Sequence, residues 1–226
     1  MQKQTWSWTS ARLADVPDSH GVGRLARWGH YGTPLLLLPS AGGDYEEVER
    51  FHLVAAIGGM VESGRVKVFS IDGFAAHPRL RGNVSPERSA SIQAACEAFV
   101  LEEVLPVIRR DCHSDSIEIL VAGAAFGALS AVSLLCRSPQ VFRGAIAMSC
   151  LESLPSKEPG ADALARRFVQ IASGEGTFER PARSRELAAS LTALGVPNHL
   201  DLWGPNYPHA WTTWREMLPK YVAALG

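Results

Sequence analysis

The sequence has no long apolar run and no excess of charge of either sign. Its longest leucine stretch, Leu35 to Leu38, is far shorter than the roughly 20 residues that a membrane-spanning helix needs. The 22 basic and 23 acidic side chains leave a formal net charge of -1. A nearly neutral chain lacks the basic surface that is typical of proteins that bind nucleic acid or anionic membranes. We therefore predict a soluble protein that binds neither.

Cysteine is scarce, and motifs for metals or cofactors are absent. The four cysteines are widely spaced, form no Cys-x-x-Cys pair and are expected to be buried reduced thiols: Cys96, Cys112, Cys136 and Cys150. There is no His-Glu-x-x-His motif, no carboxylate cluster with metal-ligand spacing and no P-loop, so neither metal nor cofactor is predicted. The first six residues lack the apolar core of a signal peptide, which favours a cytoplasmic location.

The 226 residues, 46% of them hydrophobic, suit a single α/β domain over 1–226. Apolar runs predict strands at 6–9, 22–28, 33–39, 66–72, 117–122, 145–149, 168–173 and 199–203. Helices are predicted from near Asp44, over 87–112 with a kink or break at Pro106, and over 128–136, 181–194 and 211–225. This order predicts a doubly wound, mostly parallel sheet that opens with an antiparallel hairpin.

The most informative segment is the turn Gly123-Ala124-Ala125-Phe126-Gly127, which lies between a predicted strand and a predicted helix. It fits the nucleophile elbow Gly-x-Ser-x-Gly, except that Ala125 occupies the nucleophile position. Such a turn residue has a strained backbone, and the positions two before and two after it must be almost without side chains. A closely packed strand-to-helix turn of a Rossmann-like fold is the alternative interpretation.

The remaining groups of a serine hydrolase have candidates in other loops. His209 follows the last strand, where the base of such a site belongs, although a surface histidine is the alternative. Glu175 and Glu179 could supply the acid, and Glu179 is preferred because it lies farther past the strand end. Glu179 could instead pair with a neighbouring arginine or cap the next helix. The backbone amides of Phe126 and Ala41 would bind an oxyanion.

Four loops are expected to converge, because parallel strands bring their carboxyl ends to one edge of a sheet. They are residues 40–43, 124–126, 175–179 and 205–211. Ser40 and Gly42 in the first loop, with Tyr207 and Trp211 in the last, are predicted to contact a ligand. The two aromatic side chains could equally pack against the core.

Together these motifs resemble the bacterial esterase-like α/β hydrolases related to feruloyl esterase, esterase D and enterochelin esterase. The resemblance rests on RWGHYGTPL (27–35), PSAGG (39–43), EVLP (103–106), GAAFGA (123–128), DLWG (201–204) and HAW (209–211). It implies an α/β-hydrolase fold, with Ala125 at the nucleophile position, His209 as the base and the acid from residues 175–179. Relatives normally have Gly-Ala-Ser-Phe-Gly at the elbow and His-Asp-Trp at the end, so Ala125 and Ala210 are departures. A short segment between Ser149 and Phe168 implies a reduced cap.

Three functions remain open. The leading hypothesis is a pseudo-hydrolase that binds a small acyl or aromatic ester-like ligand, a protein partner or a second copy of itself at the former active site. The alternative is a carboxyl-ester serine hydrolase whose serine has been replaced experimentally by Ala125. The third is non-covalent chemistry in which His209 and a glutamate activate water or deprotonate a ligand.

Overall fold

A computed structural model describes residues 1–16, 19–40, 43–73, 85–151 and 164–226. Within these ranges eight strands form one sheet. They are β1 Lys3–Thr9, β2 Val22–Trp28, β3 Thr33–Leu38, β4 Val66–Ile71, β5 Ile119–Ala124, β6 Phe142–Met148, β7 Phe168–Ser173 and β8 Asn198–Leu202. The predicted second oxyanion donor Ala41, the predicted ligand contact Gly42 and most of the predicted reduced cap lie outside the described residues.

The strand order across the sheet is β1-β2-β4-β3-β5-β6-β7-β8. β1 pairs with β2 and β2 pairs with β4 in antiparallel fashion. The remaining pairs, β4-β3, β3-β5, β5-β6, β6-β7 and β7-β8, are parallel. The predicted mostly parallel sheet with an antiparallel opening hairpin is therefore confirmed. Because β3, β5, β6, β7 and β8 run in one direction, the loops that follow them leave from one edge.

The helices are α1 Glu47–Arg50, α2 Leu53–Ala56, α3 Gly58–Glu62, α4 Pro86–Phe99, α5 Leu105–Asp111, α6 Phe126–Arg137, α7 Pro181–Ala193 and α8 Trp211–Leu225. The single helix predicted from near Asp44 is divided into the short helices α1 to α3. His52, between α1 and α2, has a left-handed backbone with φ of 64°. A residue in that conformation cannot continue a right-handed helix, which explains the first interruption.

Near Pro106, where a kink or break was predicted, the α-helix is interrupted by a π-helical turn. α4 is followed by the π-helical segment Val100–Val104, and Pro106 is the second residue of α5. Proline has no amide proton to donate to the carbonyl four residues earlier, and its ring crowds that carbonyl. A π-helical turn is a common way for a helix to accommodate such a disruption.

The helices cover both faces of the sheet. In β3, Leu36 and Leu38 join a buried cluster with residues of α4 to α7, whereas Leu35 and Leu37 join a cluster with residues of α1 to α3 and α8. Successive residues of a strand point to opposite faces, so an unbroken apolar run is what a centrally placed, doubly covered strand requires. In the part of the chain that the structure describes, no helix is long and apolar enough to cross a membrane.

Candidate active site

The elbow predicted at Ala125 is present between β5 and α6. Ala125 has φ of 54° and ψ of -115°, and it is 4% exposed. Its amide donates a 2.9 Å hydrogen bond to the carbonyl oxygen of Met148, at the end of β6. A residue with a Cβ in this backbone region stores roughly 1–3 kcal/mol of strain, which the surrounding structure must sustain. The apex of the turn therefore has the strained backbone expected of an elbow, with a methyl group as its side chain.

The two flanking glycines are explained by close backbone approaches. A Cβ placed on Gly123 would lie 2.3 Å from the carbonyl carbon and oxygen of Gly127. A Cβ on Gly127 would lie 2.6 Å from the carbonyl oxygen of Pro39 and 2.7 Å from that of Leu38. Real Cβ atoms do not approach backbone atoms so closely, so both positions require glycine. This packing joins the elbow to the loop after β3.

The amide of Phe126, expected to bind an oxyanion, has a partner within the protein. It donates a 3.0 Å hydrogen bond to the carbonyl oxygen of Ser40, the residue two places past β3. The first amides of a helix have no acceptor inside the helix, so a nearby loop carbonyl can take their place. In this state a ligand oxyanion would have to displace the Ser40 carbonyl.

Ser40, predicted to contact a ligand, is held by a buried carboxylate. Its hydroxyl donates to Oε1 of Glu47 at 2.6 Å, and its amide donates to Oε2 of the same side chain at 3.2 Å. Glu47 is 5% exposed. Burial raises the pKa of the Glu47 carboxyl, and the two hydrogen bonds from Ser40 oppose that rise.

The two candidate acids lie in different environments. Oε2 of Glu179 lies 3.6 Å from Nδ1 of His209, and the Glu179 side chain is 1% exposed. Glu175 is 35% exposed, and its Oε1 lies 3.3 Å from Nη2 of Arg185. The structure therefore brings Glu179, and not Glu175, beside the predicted base. Nδ1 of His209 is buried, and among the described residues it has no hydrogen-bond partner, so the pair is close to a hydrogen bond without forming one.

Side chains from three elements support Glu179. Ser149 donates its hydroxyl to Oε1 at 2.5 Å. The single hydroxyl proton of Ser173 has two acceptors within reach, the carbonyl oxygen of Gly174 at 2.9 Å and Oε2 of Glu179 at 3.3 Å. Nε1 of Trp214 donates to the Ser149 oxygen at 2.9 Å, and the Trp214 ring meets the His209 imidazole edge-on with centroids 5.1 Å apart. An indole N–H can only donate, so the Ser149 proton is directed at Glu179. Ser149 is therefore held between the Trp214 indole and the Glu179 carboxylate.

Backbone hydrogen bonds join the loops that carry the acid and the base. The amide of His209 donates to the carbonyl oxygen of Thr177 at 3.0 Å. The amides of Glu175 and Gly176 donate to the carbonyl oxygens of Gly204 and Tyr207 at 2.9 and 3.1 Å. The predicted convergence of the 175–179 and 205–211 loops is thus present, and it fixes the backbone on both sides of the Glu179 and His209 pair.

The aromatic residues predicted to contact a ligand have partners within the protein. Trp211 stacks on Phe51, with ring centroids 4.3 Å apart and planes 4° from parallel. Tyr207 meets Trp203 edge-on at 4.9 Å. Both rings are partly exposed, so a role in ligand contact stays a prediction.

Three buried side chains at this edge were not predicted from the sequence: Ser149, Ser173 and Glu47. Ser149 directly follows β6 and Ser173 is the last residue of β7, so each is a polar residue at the carboxyl end of a strand. That position was a usable signal, because ligand sites of parallel sheets lie at this edge. Glu47 carried no such signal, since an acidic residue near the start of a helix is already explained by the helix dipole.

The described residues contain no group of three or more histidine, cysteine, aspartate or glutamate side chains that could hold a metal ion.

Residues 48–225 match the model of the Esterase family, which is described as "Putative esterase". This match spans well over half of the chain. The chain belongs to the Esterase family. A search of curated proteins finds no significant match to this chain.

Solved structures show the same fold. The esterase-family chain is similar to a ferulic acid esterase, with 17% identity and a TM-score of 0.73 over 99% of this chain and 96% of that one. It is also similar to the S-formylglutathione hydrolase of Staphylococcus aureus, with 12% identity and a TM-score of 0.70 over 99% and 98% of the two chains. The enterobactin esterase of Shigella flexneri gives 17% identity and a TM-score of 0.65, over all of this chain and 59% of that one. The α/β-hydrolase fold implied by the sequence resemblance is confirmed.

Proposed function

We propose that this member of the Esterase family is a pseudo-hydrolase that binds a small acyl or aromatic ester-like ligand without forming a covalent intermediate. The observation that carries the proposal is Ala125, which has the strained backbone of a nucleophile elbow but a methyl side chain. A methyl group offers neither a lone pair to attack a carbonyl carbon nor a proton to transfer to His209. Acyl transfer through an enzyme-bound ester therefore has no starting atom.

The oxyanion side of the elbow supports the same proposal. Serine hydrolysis requires a nucleophile, a base, an orienting acid and amide donors for the oxyanion. Glu179 and His209 lie together, but the amide of Phe126 is bonded to the carbonyl of Ser40. Both the attacking atom and one expected oxyanion donor are thus missing from this state of the protein.

The test combines a covalent probe with ligand binding. A fluorophosphonate probe is expected to leave the protein unlabelled, and p-nitrophenyl acetate is expected to show no turnover above the buffer rate. Methyl ferulate, as a small aromatic ester, is expected to raise the melting temperature, because a ligand that binds only the folded state stabilises it. Labelling of the unmodified protein would contradict the proposal.

The competing interpretation is a serine esterase whose nucleophile has been replaced experimentally. In that case Ala125→Ser should restore ester cleavage by several orders of magnitude, since loss of a triad nucleophile is that costly. Ala125→Gly is the matched control, because it changes the same position without adding a hydroxyl. The restored activity should also disappear in the Ala125→Ser/His209→Ala double variant. The codon at position 125 of the native gene decides between the two interpretations directly.

The acid and base pair favours a second function, in which His209 acts on a ligand or on water without a covalent step. Glu179 is almost fully buried and lies 3.6 Å from His209, and burying a carboxylate is costly unless it is well paired. A positioned imidazole and carboxylate is the arrangement that general base catalysis uses. In this case His209→Ala should abolish an activity that Ala125→Ser leaves unchanged or lowers.

A further inference from the structure

We propose that Glu47 is a positioning residue that keeps the oxyanion side of the elbow closed. It does so by fixing Ser40 in the position from which its carbonyl accepts the amide of Phe126. This role rests on the same hydrogen bond from Phe126 to Ser40 that supports the proposed function, but it is tested by hydrogen exchange, which needs no ester cleavage.

The contact between Glu47 and Ser40 leaves Ser40 little freedom to move. The two carboxylate oxygens accept the two donors of one residue, the hydroxyl at 2.6 Å and the amide at 3.2 Å. Hydrogen bonds to an ionised acceptor are roughly twice as strong as those between neutral groups. Rotation of the Ser40 backbone would break one or both of these bonds.

The burial of Glu47 depends on these bonds. A buried carboxylate without hydrogen-bond donors is strongly unfavourable. Among the described residues, the Glu47 carboxylate has two donors, and both belong to Ser40. The loop is also shaped around this group, because a Cβ placed on Gly43 would lie 1.8 Å from Oε2 of Glu47. The position of Ser40 is thus coupled to the burial of the Glu47 charge.

The carbonyl group of Ser40 links Glu47 to the elbow. Its carbonyl oxygen lies 3.0 Å from the amide nitrogen of Phe126. A tetrahedral anion that needed this amide would have to displace the carbonyl, and moving the carbonyl would disturb the bonds to Glu47. Glu47 therefore selects against anionic, oxyanion-like ligands at the elbow.

Amide hydrogen exchange tests this coupling without any ligand or activity. In Glu47→Gln, one acceptor oxygen of the side chain becomes a donor, so one of the two bonds from Ser40 is lost. We expect the Phe126 amide, followed by NMR, to exchange about tenfold faster relative to Val132 in the same helix, as expected for a weakened hydrogen bond. Dividing the Phe126 exchange rate by that of Val132 corrects for the effect of any general loss of stability. An unchanged ratio would overturn the proposal.

Glu49→Gln is the matched control, because it makes the same change in the same helix. Glu49 accepts hydrogen bonds from Lys3 and Trp28 and has no contact with Ser40 among the described residues. The relative exchange of Phe126 should be the same in Glu49→Gln as in the unmodified protein. Ser40→Ala provides a second route if Glu47→Gln folds poorly, since it also removes one of the two bonds, the one at 2.6 Å, and should give a similar increase in the same ratio.

A reactive probe extends the test to the elbow itself. With Ala125→Ser as background, adding Glu47→Gln should increase the rate of labelling by a fluorophosphonate, whereas adding Glu49→Gln should not. Equal rates in the two double variants, including no labelling of either, would overturn the proposal. Labelling of the unmodified protein would instead contradict the proposed function, so the two failures are distinguishable.

Discussion

The two halves of the site differ in how completely they are built. In the acid and base half, Glu179 accepts a hydrogen bond from Ser149, lies 3.3 Å from the Ser173 hydroxyl and lies 3.6 Å from His209. Trp214 contacts both Ser149 and His209, which fixes their relative placement. The side chains of this half therefore contact one another, although the 3.6 Å between Glu179 and His209 is longer than a hydrogen bond.

The nucleophile half, residues 123–127, has the backbone of an elbow with a methyl group at its apex. Ala125 has the strained turn geometry without a hydroxyl, and Phe126 donates its amide to Ser40. The strain therefore does not depend on a serine side chain. It is imposed by the close packing of Gly123 and Gly127 around the turn, so the elbow is a property of the strand-to-helix connection.

The largest expected effect tests whether packing imposes the elbow. Gly123→Ala places a Cβ 2.3 Å from backbone atoms of Gly127, which cannot move without shifting the start of α6. We expect a loss of about 3 kcal/mol or more in the free energy of unfolding, at the upper end of overpacking costs. Urea denaturation measures this loss.

Gly59→Ala is the control for Gly123→Ala. Gly59 lies in α3, and a Cβ there would meet nothing within 4 Å. Alanine favours helix over glycine, so stability should be unchanged or slightly higher. A loss at Gly123 no greater than the change at Gly59 would show that the turn relaxes freely and that packing does not hold it.

The sequence predicted the fold well because its signals are local. Apolar or alternating segments, most of them ended by glycine or proline, predicted the eight strands, and the predicted limits of β2 (22–28) and β7 (168–173) agree with the structure. The interruption at His52 was missed, because a left-handed histidine leaves no pattern in the sequence. The break near Pro106 was expected, since proline acts through its own covalent structure.

The site was predictable only where a residue's place along the chain determines its place in space. Reach from the strand end favoured Glu179 over Glu175, and the structure places Glu179 beside His209. The hydrogen bond from Phe126 to Ser40 could not be predicted, because it depends on which way a loop carbonyl points. The support from Ser149 depends likewise on how β6 lies beside β7.

The next largest effect is expected at Glu179, and Glu175 in the same loop serves as the comparison. Glu179→Gln keeps the size of the side chain but replaces one of the two oxygens that face the Ser149 and Ser173 hydroxyls with an NH2 group. We expect a loss of about 2 kcal/mol in the free energy of unfolding near neutral pH, the range for hydrogen bonds to charged groups. Glu175→Gln should change stability by less than about 0.5 kcal/mol, because its ion pair with Arg185 is exposed. Equal losses in the two variants would mean that the contacts of the buried Glu179 contribute no more to stability than the exposed ion pair of Glu175.

A smaller effect is expected at Ser149, which supports the acid indirectly. Ser149→Ala leaves Nε1 of Trp214 without an acceptor and removes one donor to Glu179. We expect a loss of about 1.5 kcal/mol, within the cost of a buried unsatisfied group. Ser190→Ala is the control, since that hydroxyl is exposed and bonds only to the carbonyl of Glu186 among the described residues. A loss at Ser149 no larger than at Ser190 would show that Trp214 and Glu179 find other partners.

The smallest effect is expected at the apex of the elbow itself. Ala125→Gly should relieve roughly 1–3 kcal/mol of backbone strain. It also removes a buried methyl worth about 0.8 kcal/mol and gives the unfolded chain a further 0.4–1 kcal/mol of entropy. These terms nearly cancel, so urea denaturation should show a net change below about 1 kcal/mol.

Ala131→Gly is the control for Ala125→Gly, because Ala131 is also buried but lies within the regular helix α6. With no strain to relieve, it should cost about 2 kcal/mol from the lost methyl and the lower helix propensity of glycine. Equal losses at the two positions would mean that Ala125 is not strained in solution. The nucleophile half would then have lost the elbow geometry along with the hydroxyl, and the contrast with the intact Glu179 and His209 pair would be greater than the structure indicates.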